Sequence, residues 1–228
     1  MPFTYAAPPI EINHHPHEYK SMSTKAIRHR IFSHGKYHLT LSATEPDPIN
    51  LMTGAPRAAT TISMNLSLSL ENRTQVDIFQ QKLIVKSRLR IRTFCTTRKL
   101  TRIPTLVASK NDPSLQMVEH KTSWEIRESV PVEWKKQLSE VGSDENREIW
   151  TADWRSPVSV PKTLLPTFLN LLSARQYAIE LRVSLATVRQ IGMLELAIPL
   201  QLIYHDLKKQ ALEGGDNLAC DIQDAVEW

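Results

Sequence analysis

The chain has 228 residues, with 28 lysines and arginines against 24 aspartates and glutamates, a formal net charge of +4, six glycines and two cysteines. A chain of this length forms one or two domains whose core needs no staples, and Cys95 and Cys220 lie too far apart in sequence to suggest a disulfide framework, which fits a reducing cytosolic compartment. No run of about 18 apolar residues is available to span a membrane as a helix, the first twenty residues lack the apolar heart of a secretory signal, and no phosphate-cradling GxxxxGK or GxGxxG loop occurs.

Residues 1–24 are rich in Pro, His and Ser without any period and read as a disordered arm. His14, His15 and His17 stand there beside Glu18, with His29, His34 and His38 farther on. A metal site needs ligands held by a fold, so neither a metal nor another cofactor is expected. Residues 25–58 read as a partial strand segment followed by a linker: Tyr37, Leu39 and Leu41 alternate with His38 and Thr40, then Pro46, Pro48, Gly54 and Pro56 punctuate the chain. From residue 59 to 204 period-two patterning dominates. Ile62, Met64, Leu66, Leu68 and Leu70 alternate with Ser63, Asn65, Ser67 and Ser69, as a half-buried strand requires. Residues 78–94 would reach about 55 Å if straight, so this segment must bend or carry a bulge.

Farther along, Thr122, Trp124 and Ile126 are expected on one strand face, and Trp150, Ala152 and Trp154 on another. The stretch between reads as a charged loop. Tyr177, Ile179, Leu181, Val183 and Leu185 alternate with Gln176, Ala178, Glu180, Arg182 and Ser184, and Leu194, Leu196, Ile198, Leu200 and Leu202 repeat the pattern. Candidate strands thus fall at 37–43, 60–70, 78–94, 116–126, 147–154, 175–186 and 193–204, which suits one immunoglobulin-like sandwich. Residues 205–228 form a polar tail in which Leu207, Ala211 and Leu212 fit a short helix ended by Gly214 and Gly215.

Pro166 and Phe168, followed by Ala174, Arg175, Tyr177, Ile179 and Leu181, resemble the P-x-F…A-R-x-Y-x-L strand of the arrestin C-terminal domain, most closely in fungal arrestin-like (α-arrestin) proteins. Leu194, Leu196, Ile198, Pro199, Leu200 and Leu202 are similar to that domain's closing strand. The resemblance covers residues 59–204 and is most specific from Pro166 to Leu202. It implies an all-β, immunoglobulin-like β-sandwich acting as a cytoplasmic adaptor, peripheral at the plasma membrane or endosomes. Such an adaptor binds membrane transporter or receptor tails and couples them to ubiquitin ligases. Family adaptors recruit the ligase through a PPxY motif, because WW domains read polyproline helices. Pro8-Pro9-Ile10-Glu11 lacks the tyrosine, so a ligase would come through a partner. The family has two sandwiches and this chain resembles the C-terminal one, so a truncated arrestin-like fragment is one alternative, and an anionic-lipid or phosphate-binding β-sandwich module without an adaptor role is the other. A sandwich without its mate would expose an apolar interface, which predicts self-association or a partner.

Charge singles out one segment. Between Ile78 and Asn111 stand Lys82, Lys86, Arg88, Arg90, Arg92, Arg98, Lys99, Arg102 and Lys110, with no acidic residue among them. Alternation aligns Lys86, Arg88, Arg90 and Arg92 on one face, and the guanidinium fork suits phosphates and carboxylates. Lys86, Arg88, Arg90, Arg92, Arg98, Lys99 and Arg102 are therefore the candidate anion- or partner-binding residues, for an anionic lipid, an inositol phosphate, a phosphorylated tail or an acidic sorting motif. The plainer alternative is a strand face neutralised by Glu or Asp of neighbouring strands. Nucleic acid is disfavoured, since no aromatic ladder interleaves the arginines. Nothing pairs a nucleophile with a base: there is no GxSxG elbow and no HExxH helix. The tryptophans read as sheet-packing residues, and the expected role is binding rather than catalysis.

Overall fold

Alternation of large apolar and small polar side chains makes the long strands, because successive residues of an extended chain face opposite sides. The structure, a computed structural model, describes residues 18–28, 36–52, 57–71, 83–128, 133–137, 147–185 and 193–204. Among these the strands are β1 (Met22–Arg28), β2 (Lys36–Ala43), β3 (Ile49–Asn50), β4 (Arg57–Glu71), β5 (Leu83–Thr96), β6 (Leu115–Lys121), β7 (Glu125–Glu128), β8 (Lys135–Gln137), β9 (Arg147–Pro161), β10 (Phe168–Leu169), β11 (Ser173–Leu185), β12 (Leu194–Leu200) and β13 (Leu202–Ile203). One short helix, α1 (Leu106–Asn111), follows β5.

Two antiparallel sheets form. The first runs β1-β2-β4-β9-β8; in the second β11 pairs with β5 on one side and with β10 and β12 on the other, while β6 and β7 share the far edge of β5. A short parallel pair, β3 with β13, closes one end. Leu39, Leu41, Ile62, Leu66 and Leu68 of the first sheet share one buried cluster with Leu83, Val85, Leu181, Leu194 and Ile198 of the second. The fold is an all-β sandwich. Trp134, Trp150 and Trp154 pack against this core. A smaller cluster of Phe94, Ile103, Leu115 and Ala174 lies on the outward side of the second sheet, where the segment after β5 folds back over it.

Several expectations change. Residues 18–24 are not a loose arm: Glu18, Tyr19 and Ser23 are buried, Lys20 bridges to Ala197, and β1 continues the first sheet. Burial of a glutamate and a tyrosine against residues distant in sequence, Arg92 and Gln176, leaves no periodic trace. Residues 1–17, with His14, His15 and His17, lie outside the described residues, as do the tail 205–228 and residues 78–82. The segment 36–52 is no separate unit either, since Leu39, Leu41, Ile49 and Leu51 belong to the common core. The 116–126 strand is broken between β6 and β7, and the charged loop carries β8.

Candidate functional site

The outward face of the second sheet gathers the charged side chains of β5, β6 and β11. On β5 the inward Leu83, Val85, Ser87 and Leu89 are buried, and the even-numbered residues that alternate with them face out. Arg88 and Arg90 stand in register with Glu180 and Ala178 of β11, and Arg92 with Gln176. Ala178 is small enough to leave room above Arg90.

That room is filled by residues 18–20. The Arg90 guanidinium donates to the backbone carbonyl of Glu18 at 3.0 Å and lies 5.9 Å from the Tyr19 ring. Arg92 donates to the Glu18 carboxylate at 3.1 Å and to Glu119 at 2.7 Å. The second oxygen of Glu18 accepts the Leu106 N–H at the start of α1, and Gln176 reaches the first at 3.4 Å. The Tyr19 hydroxyl donates to Gln176 at 3.2 Å, and burial raises its pKa far above the ordinary phenol value. Lys20 and Ala197 exchange backbone hydrogen bonds of 2.8 and 3.0 Å, a single antiparallel β-bridge that ties the segment to the edge of β12. Arg90 and Arg92 are 8% and 4% exposed as a result.

Glu180 is the centre of the remaining network. Its carboxylate meets Arg88 at 2.5 Å, Arg90 at 3.2 Å and Lys121 at 3.3 Å. Burial alone would raise the Glu180 pKa, but hydrogen bonds from Arg88 and Lys121 outweigh it and hold the carboxyl below its ordinary range. Glu119 behaves alike: burial pushes up, and Arg92 and Lys121 pull it down further. Burial, with Arg92 beside it, lowers the Arg90 pKa from its usual value.

A bulge sets the last wall of the site. Lys121 pairs with Arg90 and Glu125 with Ser87, so three residues, 122–124, oppose two, 88 and 89. Thr122 bridges the gap, donating its N–H to the Leu89 carbonyl and accepting the Leu89 N–H at its hydroxyl, both at 3.0 Å. The extra residue reverses the alternation. Odd positions such as Glu119 and Lys121 face outward before it, and Trp124 faces outward after it. Its ring therefore lies on the guanidinium groups of Arg88, at 4.2 Å, and Arg182, at 4.3 Å.

Trp124, Lys20 and the β12 stretch Glu195–Ala197 enclose a cleft of about 290 Å³ over Glu180 and Arg182. Lys20, Arg88, Lys121 and Arg182 contribute four cations to its wall, and Glu180 and Glu195 two carboxylates. Arg182 is tied to Glu195 at 3.0 Å with about a third of its side chain exposed.

The seven candidate residues thus separate. Arg90 and Arg92 are covered and held by carboxylates of the chain itself, Arg88 lines the cleft, and Lys86 sits half-buried opposite Arg182. Arg98, Lys99 and Arg102 are exposed on the loop after β5. Lys20, Lys121, Trp124 and Arg182 were not among the sequence candidates, and only the alternation around Arg182 gave a signal for any of them. Among the described residues no three His, Cys, Asp or Glu side chains are grouped to hold a metal ion, and no helix is long and apolar enough to cross a membrane. The sequence matches no protein-family model and no curated protein.

Proposed function

We propose that the chain is a non-catalytic binding module of the adaptor kind, which seats an acidic, extended segment of a partner protein in the Trp124 cleft. The observation that supports this reading is the cleft's charge: four cations face two carboxylates, leaving a net positive wall beside an indole. A carboxylate-rich segment entering the cleft gains guanidinium and ammonium partners from Lys20, Arg88, Lys121 and Arg182 and lies beside the Trp124 indole. The arrestin-like resemblance supplies the class of partner, a cytosolic tail of a membrane transporter or receptor, with a ubiquitin ligase joining through a further protein. It also supplies the finer reading of the sandwich as an immunoglobulin-like domain of the arrestin C-terminal type. In support, Phe168 and Arg175 of the shared motif face each other in register, with the guanidinium 5.9 Å from the ring, and the Tyr177 hydroxyl ties the preceding loop down through the Leu165 carbonyl at 2.6 Å.

Affinity purification from the source cells, followed by mass spectrometry, tests the reading with the whole chain and a Lys20→Glu/Arg182→Glu variant. Recovery of membrane transporters with the wild type and a drop of about tenfold with the variant, the effect of about 1.4 kcal/mol, is expected. Equal recovery by both proteins, or recovery of nucleic-acid machinery instead, contradicts it.

A further inference from the structure

One end of the sandwich, where β5, β9 and β12 finish and β4 and β11 begin, carries most of the large apolar side chains that the described fold leaves outside. Leu171 and Leu172 are 62% and 54% exposed at the tip of the turn between β10 and β11. Asn170 shapes this tip, its side-chain oxygen accepting the N–H groups of Leu172 at 3.0 Å and Ser173 at 2.7 Å. The tip is also docked onto the loop after β5: the Thr96 N–H donates to the Leu172 carbonyl at 2.9 Å and the Leu100 N–H to the Leu171 carbonyl at 2.8 Å. The backbone of both leucines is therefore held in place while their side chains face outward.

The loop that holds them presents Arg98, Lys99 and Arg102, all exposed. Asp112 is the acidic group near Arg98, and its carboxylate already accepts the N–H and hydroxyl of Ser114 at 2.9 and 2.6 Å. Met52, Leu165 and Tyr204 are exposed on the same end, beside the β3–β13 pair.

We propose that this end docks on an anionic lipid bilayer, with Leu171 and Leu172 entering the boundary between headgroups and acyl chains and Arg98, Lys99 and Arg102 meeting the headgroups. A projecting apolar pair has no groove of its own and needs a medium that closes around it. A second copy of the same end would set cations against cations. An anionic bilayer offers apolar depth below a layer of negative charge, and weak insertion plus a basic patch supplies the two signals that stable peripheral binding requires. This surface lies at the start of β11, apart from the cleft over Glu180 and Arg182, so the two proposals fail separately.

The test is co-sedimentation of the full chain with phosphatidylcholine vesicles, with and without about 30% phosphatidylserine. The wild type sediments with the anionic vesicles and not with the neutral ones. Leu171→Asp/Leu172→Asp and Arg98→Glu/Lys99→Glu/Arg102→Glu each lower the bound fraction about tenfold, whereas Lys20→Glu/Arg182→Glu binds as the wild type does. The milder Leu171→Ser/Leu172→Ser pair reproduces the ranking should the aspartates disturb folding. Wild-type protein that stays in solution, leucine variants that still bind, or a dimer that the leucine substitutions disperse would each overturn the proposal.

Discussion

Arg90 and Arg92 stand on the same continuous segment as Arg98, Lys99 and Arg102, yet the two groups occupy opposite physical regimes. The strand arginines lie between Glu18, Glu119 and Glu180 with little water, where an ion pair is costly to form and more costly to break on one side. The loop cations stand in solvent, where a nearby charge is screened and contributes little to folding. Equal formal charge therefore serves cohesion in one place and leaves charge free for contact in the other. What separates them is cover: residues 18–20 lie over the strand pair.

Removing one partner of the covered pair should have the largest effect. Arg92→Ala leaves the Glu18 carboxylate buried with its main cation gone and is expected to destabilise the fold by about 3–5 kcal/mol in urea unfolding. A cost under about 1 kcal/mol would mean that water reaches Glu18 freely.

Acid should act next, through Glu119 and Glu180. Both have folded pKa values below the unfolded reference of 4.5, so their stabilisation is complete above that pH and is lost as pH falls through the depressed folded values. Stability measured from neutral pH downward is expected to fall in that window, and Glu119→Gln/Glu180→Gln to flatten the acid limb while lowering stability at neutral pH. An acid limb unchanged in the double variant would remove these carboxylates from the account.

A smaller loss is expected at the cleft wall. Trp124→Leu removes the ring from two guanidinium groups and should cost about 1 kcal/mol, with Arg88→Lys similar because the lysine cannot both stack and fork. Smallest of all is Arg98→Ala/Lys99→Ala/Arg102→Ala, whose thermal midpoint should match the wild type's. A clear shift in that midpoint would show the loop cations to be part of the cohesive set.

Much of the sandwich was legible because its signal is local. Ile62 to Leu70 and Tyr177 to Leu185 alternate cleanly, and β4 and β11 lie where that pattern puts them. The outward alignment of Arg88, Arg90 and Arg92 was equally readable from period two. Their partners were not, since Glu18 lies 74 residues from Arg92 and Glu180 lies 92 from Arg88. Nor could the bulge at 122–124 be read, because one extra residue in a strand looks like any other until its partner strand is known. That single insertion moves Trp124 onto the face of Lys121 and Arg88 and builds the cleft. Glu18 and Tyr19 were hidden for a further reason: they are tied down by side-chain charge and one β-bridge, which carry no periodic signature.

The most direct test of the claim that the strand arginines serve cohesion is a double-mutant cycle between Arg92→Met and Glu18→Gln, read by urea unfolding at neutral pH. Each single change should be strongly destabilising and the pair much less so than their sum, with a coupling of about 2 kcal/mol. Additivity within about 0.5 kcal/mol would contradict the account and return Arg92 to the set of free cations.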